Sequence, residues 1–88
     1  MERYSLIVKK SVEKDLRKIP REMIPLILEH AENLAADPVP HDAYKIASAE
    51  NLYRLRVGDY RIIYQVLHET REVTLMYIRH RSVAYRGL

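Results

Sequence analysis

Arg54 and Arg56 stand two residues apart in the stretch Leu52-Tyr-Arg-Leu-Arg-Val57, and Arg61 follows just past Gly58-Asp59. A guanidinium is planar, permanently charged and shaped to meet phosphate oxygens two at a time. Arginines repeated at a period of two on a strand share one face, about 7 Å apart, a spacing suited to successive phosphates. Farther along, Arg81 has His80 beside it and Tyr85 four residues on. That group adds another cation, an imidazole able to exchange a proton near neutral pH, and a phenol. The charge distribution agrees with a polyanion ligand. Residues 1 to 50 carry eight basic and nine acidic side chains, against seven basic and three acidic in residues 51 to 88. All seven basic residues of the second half are arginine: Arg54, Arg56, Arg61, Arg71, Arg79, Arg81 and Arg86. A phosphate ligand and an acidic protein partner both fit that excess.

Positioning these side chains requires a sheet, and the hydrophobic pattern supplies one. Tyr4, Leu6 and Val8 alternate with polar neighbours as in a short strand. Ser11 is placed to cap a helix running to about Lys18, with Val12, Leu16 and Ile19 on one side, and Pro20 ends it. Met23, Ile27, Leu28, Ala31, Leu34 and Ala35 recur every three or four residues, which predicts a second helix. Asp37-Pro38 and Pro40 close it and open a polar connection through His41 and Asp42. From Leu52 the period changes to two. Tyr53, Leu55 and Val57 then point one way and Arg54 and Arg56 the other, and Gly58-Asp59 turns the chain. A second run from Tyr60 to Leu67 is apolar enough on both sides to be central, and a third runs from Val73 to Arg79. The expectation is one α+β domain over residues 1–88: a strand, a helical hairpin and a three-stranded antiparallel meander (β-α-α-β-β-β). The helices cover one face and a short tail follows from His80 to Leu88.

Composition closes off other chemistries. Absence of cysteine removes disulfides, thiolate metal sites and cysteine nucleophiles, and suits a reducing cytosol, so a cytoplasmic address is expected. Met1 to Lys10 alternate rather than forming an apolar run, so neither a signal peptide nor a membrane span is expected. His30, His41 and His68 lack metal-ligand spacing, and two glycines, Gly58 and Gly87, cannot make a nucleotide-binding loop. Neither metal nor cofactor is expected.

The segment Leu52-Tyr-Arg-Leu-Arg-Val-Gly-Asp-Tyr-Arg-Ile-Ile-Tyr-Gln-Val66, with Tyr77-Ile-Arg-His-Arg81 and Tyr85-Arg86, resembles the hallmark of RelE/ParE toxins. The amino-terminal strand, Asp15-Leu16-Arg17-Lys18-Ile19-Pro20 and the Leu34 to Pro38 stretch suit that pattern too, so the resemblance spans essentially the whole chain. In RelE-like members it implies cleavage of messenger RNA in the ribosomal decoding site, by attack of the 2′-hydroxyl on its own phosphate. The functional positions it implies are Arg54 and Arg56 for gripping RNA, and Arg61, Arg81 and Tyr85 for catalysis. Cations held ready around a phosphorane-like transition state stabilise its charge, and the tyrosine can stack on a base or exchange a proton. RelE-like enzymes commonly carry lysines where this chain has Arg54 and Arg56. Because an arginine does not give up its proton, a general base must come from elsewhere, with His80 the chemical candidate and Tyr85 next. The ParE-like alternative is a non-enzymatic inhibitor of DNA gyrase, which needs the fold but no base. Either branch implies a cognate antitoxin protein, with operator DNA bound only through the antitoxin, and the RelE-like branch adds ribosome and messenger RNA as partners.

Plainer roles compete for the same residues. Arg54 and Arg56 would keep an exposed strand soluble. Arg81 would pair with Glu72, His80 would bond to backbone at a strand end, and Tyr85 would anchor the tail. Tyr53, Tyr60, Tyr64 and Tyr77 are expected beneath the helices.

Overall fold

The computed structural model describes residues 3–86. Strand β1 (Ser5–Val8) leads into α1 (Lys10–Leu16), a 3-10 turn (Arg21–Met23) and α2 (Ile24–Asn33). Then come β2 (Ala43–Lys45), β3 (Leu52–Val57), β4 (Tyr60–Leu67) and β5 (Glu72–His80). The strands form one sheet in the order β1-β5-β4-β3-β2. β1 runs parallel to β5, and the pairs β2–β3, β3–β4 and β4–β5 are antiparallel. The expected strand, helix pair and meander are therefore present, with one addition: the polar connection after α2 contains β2, three residues that extend the sheet beyond β3. No helix among the described residues is long and apolar enough to cross a membrane.

The core lies between the helices and one face of the sheet. Val12, Ile27, Ala31 and Leu34 pack against Leu55, Val57, Ile62, Tyr64, Val66, Val73, Leu75 and Ile78. Each fully buried aliphatic side chain of this kind contributes about 1.5–3 kcal/mol relative to exposure. Tyr64 is fully buried and donates its hydroxyl hydrogen to the Pro38 carbonyl at 2.8 Å, so its one polar atom is satisfied. Tyr53 stacks on it with ring centroids 5.8 Å apart. The β3–β4 connection is the two-residue turn Gly58-Asp59. Gly58 has φ +59, a left-handed conformation that fits the first central position of a type II′ hairpin turn. A Cβ there would also stand 3.1 Å from Met23 Cε.

β5 contains the fold's main irregularity. Its register with β4 runs Val66↔Val73 and Tyr64↔Leu75, then Ile63↔Tyr77 and Ile62↔Ile78, so Met76 is an extra residue on β5. A one-residue bulge reverses the facing of everything after it. Val73 and Leu75 face the helices before it, and Ile78 after it. Tyr77, expected beneath the helices, instead pairs with Ile63 on the other face.

α1 explains how β5 tolerates this. β1 stops at the Val8↔Leu75 pair, leaving the remainder of that β5 edge without a strand. Ser11 Oγ donates to the Met76 carbonyl at 2.6 Å, and the Ile78 amide donates to Asp15 Oδ2 at 2.9 Å. Ser11 and Asp15 are four residues apart, one above the other on a helix, so one side of α1 closes the edge. Ser11 is thus not the helix cap that its sequence position suggests. The cap position is Lys9, without a side-chain hydrogen bond.

Candidate functional site

The face away from the helices carries the arginines. Directly opposed residues on neighbouring strands point the same way, with Cβ atoms about 5 Å apart. Register pairs Arg56 with Arg61 and Arg61 with Arg79, so three arginines stand side by side across β3, β4 and β5. The next row along the strands is Tyr44, Arg54, Ile63 and Tyr77, reading from β2 to β5. Like charges placed directly opposite one another destabilise a sheet. Among the described residues, no carboxylate lies within ion-pair distance of Arg54, Arg56, Arg61 or Arg79. A row of uncompensated cations is what a polyanion ligand would neutralise.

Several of these side chains are held in place by the protein itself. Arg61 Nη1 donates to the carbonyls of Tyr60 at 3.0 Å and Gly58 at 3.1 Å, which folds the guanidinium against its own turn. Arg79 lies over the Tyr77 ring, 3.8 Å from its centroid, and donates to the Arg86 carbonyl at 2.8 Å. That bond brings the tail back over the sheet. Ala84 is buried, and Ile63 is fully buried although it faces away from the helices, so the tail roofs this part of the open face. Tyr85 reaches Arg54, whose guanidinium is 5.8 Å from the Tyr85 centroid and 5.0 Å from that of Tyr44.

Of the residues singled out from sequence, Arg54, Arg56, Arg61 and Tyr85 come together here. Arg81 does not join the row. It follows the end of β5, with its amide donating to the Asp59 carbonyl at 2.8 Å and its Nε 3.7 Å from Asp59 Oδ1, so its partner is Asp59 and not Glu72. Both side chains are well exposed, so the pair restrains Arg81 only weakly. His80 is turned to the other face. It pairs with Tyr60, which packs on the helix-side core, and their rings meet edge to face at 5.6 Å. Its Nδ1 lies 2.9 Å from Ser82 Oγ and accepts from the Ser82 amide at 3.2 Å. Arg79, Tyr44 and Tyr77 are the members that sequence reasoning passed over. Arg79 and Tyr77 are found only by counting through the Met76 bulge, and Tyr44 only by knowing that residues 43–45 form a strand.

The arrangement can bind a phosphodiester between the arginine row and Arg54, stabilise charge building on its nonbridging oxygens, and offer flat rings beside it. No group of three or more histidine, aspartate or glutamate side chains among the described residues is placed to hold a metal ion.

Comparison with known proteins bears on this geometry. Residues 6–85 match the family described as the ParE toxin of the type II toxin–antitoxin system, parDE. Toxin RelE3 of Methanocaldococcus jannaschii is 35% identical over 80 residues, covering 86% of this chain and 89% of that protein. The archaeal RelE–RelB complex from Pyrococcus horikoshii contains a chain that superposes with a TM-score of 0.79 at 31% identity, over 92% of this chain and 98% of the other. The RelB–RelE antitoxin–toxin complex from Methanococcus jannaschii gives 0.74 and 27%, over 93% and 98%. With nearly its whole length matched in sequence and in fold, the chain belongs to the RelE/ParE superfamily of type II toxin–antitoxin toxins.

Proposed function

We propose that this toxin is a ribosome-dependent endoribonuclease that cleaves messenger RNA in the decoding site. The observation that carries this reading is the row Arg56–Arg61–Arg79 with Arg54 and Tyr85 beside it, with no carboxylate among the described residues within ion-pair distance of these arginines. In this reading the 2′-hydroxyl of a nucleotide attacks the adjacent phosphorus, its proton leaves to a base, and the 5′-oxygen of the next nucleotide departs with a proton. Arg61 and Arg79 meet the nonbridging oxygens as negative charge accumulates, and Arg56 and Arg54 hold the flanking phosphates. Arg81, exposed at the rim, takes a phosphate farther along the strand. With arginine at 54 and 56 the proton-transfer role falls to Tyr85, whose ring adjoins Arg54 and which also stacks on a base. His80, turned toward Tyr60, contributes to the sheet end in place of the base role that its chemistry suggested. The RelB–RelE complexes among the structural relatives support a cognate antitoxin as the toxin's partner; in this reading operator DNA is reached only through that antitoxin.

The test is translation in a purified bacterial system programmed with a defined message, mapped by primer extension. Breaks inside the decoding-site codon that disappear with Arg61→Ala support the reading, and intact message with unimpaired translation would defeat it. The second reading, inhibition of DNA gyrase without catalysis, is favoured by arginine at positions 54 and 56, which cannot act as bases. It predicts intact message and loss of supercoiling activity.

A further inference from the structure

The tyrosines on the open face are not equivalent. Tyr77 already carries the Arg79 guanidinium at 3.8 Å, so its stacking position is taken. Arg54 lies over the Tyr44 and Tyr85 rings at longer range, 5.0 Å and 5.8 Å from their centroids, shared between the two. Both rings remain open, Tyr44 at 59% exposure and Tyr85 at 44%. Tyr44 is the most exposed of the large apolar side chains in the described residues, and it sits on a three-residue edge strand where a small polar residue would serve the fold as well. Its register partner is Arg54, so it projects on the arginine face.

Two open aromatic rings bracketing one guanidinium form a unit suited to single-stranded nucleic acid: rings for successive bases, a cation for the phosphate between them. We infer that Tyr44 is a base-stacking residue, and that with Tyr85 it clamps two bases of single-stranded RNA astride Arg54. This inference rests on the ribonuclease reading of the open face and names the element of it that senses base identity. Stacking strength rises from pyrimidine to purine, so Tyr44 biases the toxin toward a purine at the nucleotide it contacts. The ring supplies a π-face and not a proton, so phenylalanine serves equally well there and leucine does not.

The experiment uses programmed ribosomes whose decoding-site codon carries 2-aminopurine at one position at a time, with 2′-deoxy substitution to prevent cleavage. Fluorescence quenching reports stacking, and titration reports half-saturation. At one codon position, wild-type toxin and Tyr44→Phe should quench and bind within about two-fold of each other. Tyr44→Leu should lose the quenching and bind about ten-fold or more weakly, the size of one base–aromatic stack. With an abasic nucleotide at that position, wild type and Tyr44→Leu should bind alike. An equal loss on the abasic message would show that Tyr44 acts through Arg54 on the phosphate, and would overturn the inference while leaving the ribonuclease reading intact. Unchanged quenching in Tyr44→Leu would do the same. Wild-type toxin that neither binds nor cuts the programmed message would overturn both.

Discussion

The two faces of the sheet share every strand and follow opposite rules. On the helix side, apolar residues meet in register, and the buried phenol of Tyr64 has its acceptor. On the open side, arginine faces arginine across two successive strand pairs with no carboxylate among the described residues to relieve them. The first arrangement lowers the folding free energy, and the second raises it. In the proposed function that cost is kept for a ligand, and it is carried by the face behind it.

The largest effect comes from weakening the supporting face. Ile27 is fully buried between α2 and the sheet. Ile27→Ala should cost about 2–5 kcal/mol, comparable with the whole stability of a small domain. Urea unfolding of the isolated toxin measures it. A loss well under 1 kcal/mol would mean that the helix layer is not what supports the open face.

Next is the arginine row itself. Arg79→Ala should lower the cleavage rate on programmed ribosomes by about a hundred-fold or more, the range seen for removing one preorganised donor to a developing oxyanion. His80→Ala, one residue away but on the other side of the sheet, should stay within a few-fold of wild type. Reversal of that order would contradict the division of labour between the faces.

Tyr64 gives the helix side a pH signature. Burial first, then the proximity of Tyr53, Asp37 and Asp42, pushes its phenol well above the usual tyrosine range. The folded state therefore holds the proton to higher pH than the unfolded chain does. The associated stability is complete below the unfolded value of about 10, and is lost as pH rises beyond it, at up to about 1.4 kcal/mol per unit. Tyr64→Phe should flatten the alkaline limb of stability against pH. An unchanged slope would place the titrating group elsewhere.

How legible these faces are in sequence depends on whether the period of two is unbroken. In β3 and β4 it is: Leu55, Val57, Ile62 and Tyr64 go inward, Arg54, Arg56 and Arg61 outward, and Gly58-Asp59 marks the turn. In β5 the Met76 bulge shifts the count by one, and with no glycine in Glu72–His80 nothing in the composition marks it. Tyr77 and Arg79 consequently exchange faces with Ile78 and His80, so a reader of the period alone groups His80 with the arginines. β2 was invisible for another reason, being three residues held by pairing to β3 more than by any pattern of its own. Ser11 looked like a cap because caps are local, whereas its bond to Met76 spans sixty-five positions.

The bulge can be tested through that bond. Ser11→Ala leaves the Met76 carbonyl without its side-chain donor and should cost about 1 kcal/mol. Hydrogen exchange should accelerate at the amides following Met76 and stay unchanged in β3. If Ser11 and Asp15 maintain the reversed facing, cleavage should fall in Ser11→Ala in parallel with Arg79→Ala, though far less. Uniform acceleration across the sheet would instead mark Ser11 as an ordinary contributor to global stability.

The smallest effect has the opposite sign. Arg56→Gln removes one member of the Arg56–Arg61 pair while keeping a polar, strand-compatible side chain at an exposed position. Relief of like-charge repulsion should stabilise the fold by a few tenths of a kcal/mol, and up to about 1 at low salt. Raising the ionic strength should shrink the gain, because screening already weakens the repulsion in wild type. Binding to programmed ribosomes should weaken in the same variant, with a shallower dependence on salt as one phosphate contact is lost. Stability rising while binding falls, both diminished by salt, is the outcome expected of a face whose charges are arranged for a ligand; a variant that loses both would show that Arg56 contributes to the sheet itself.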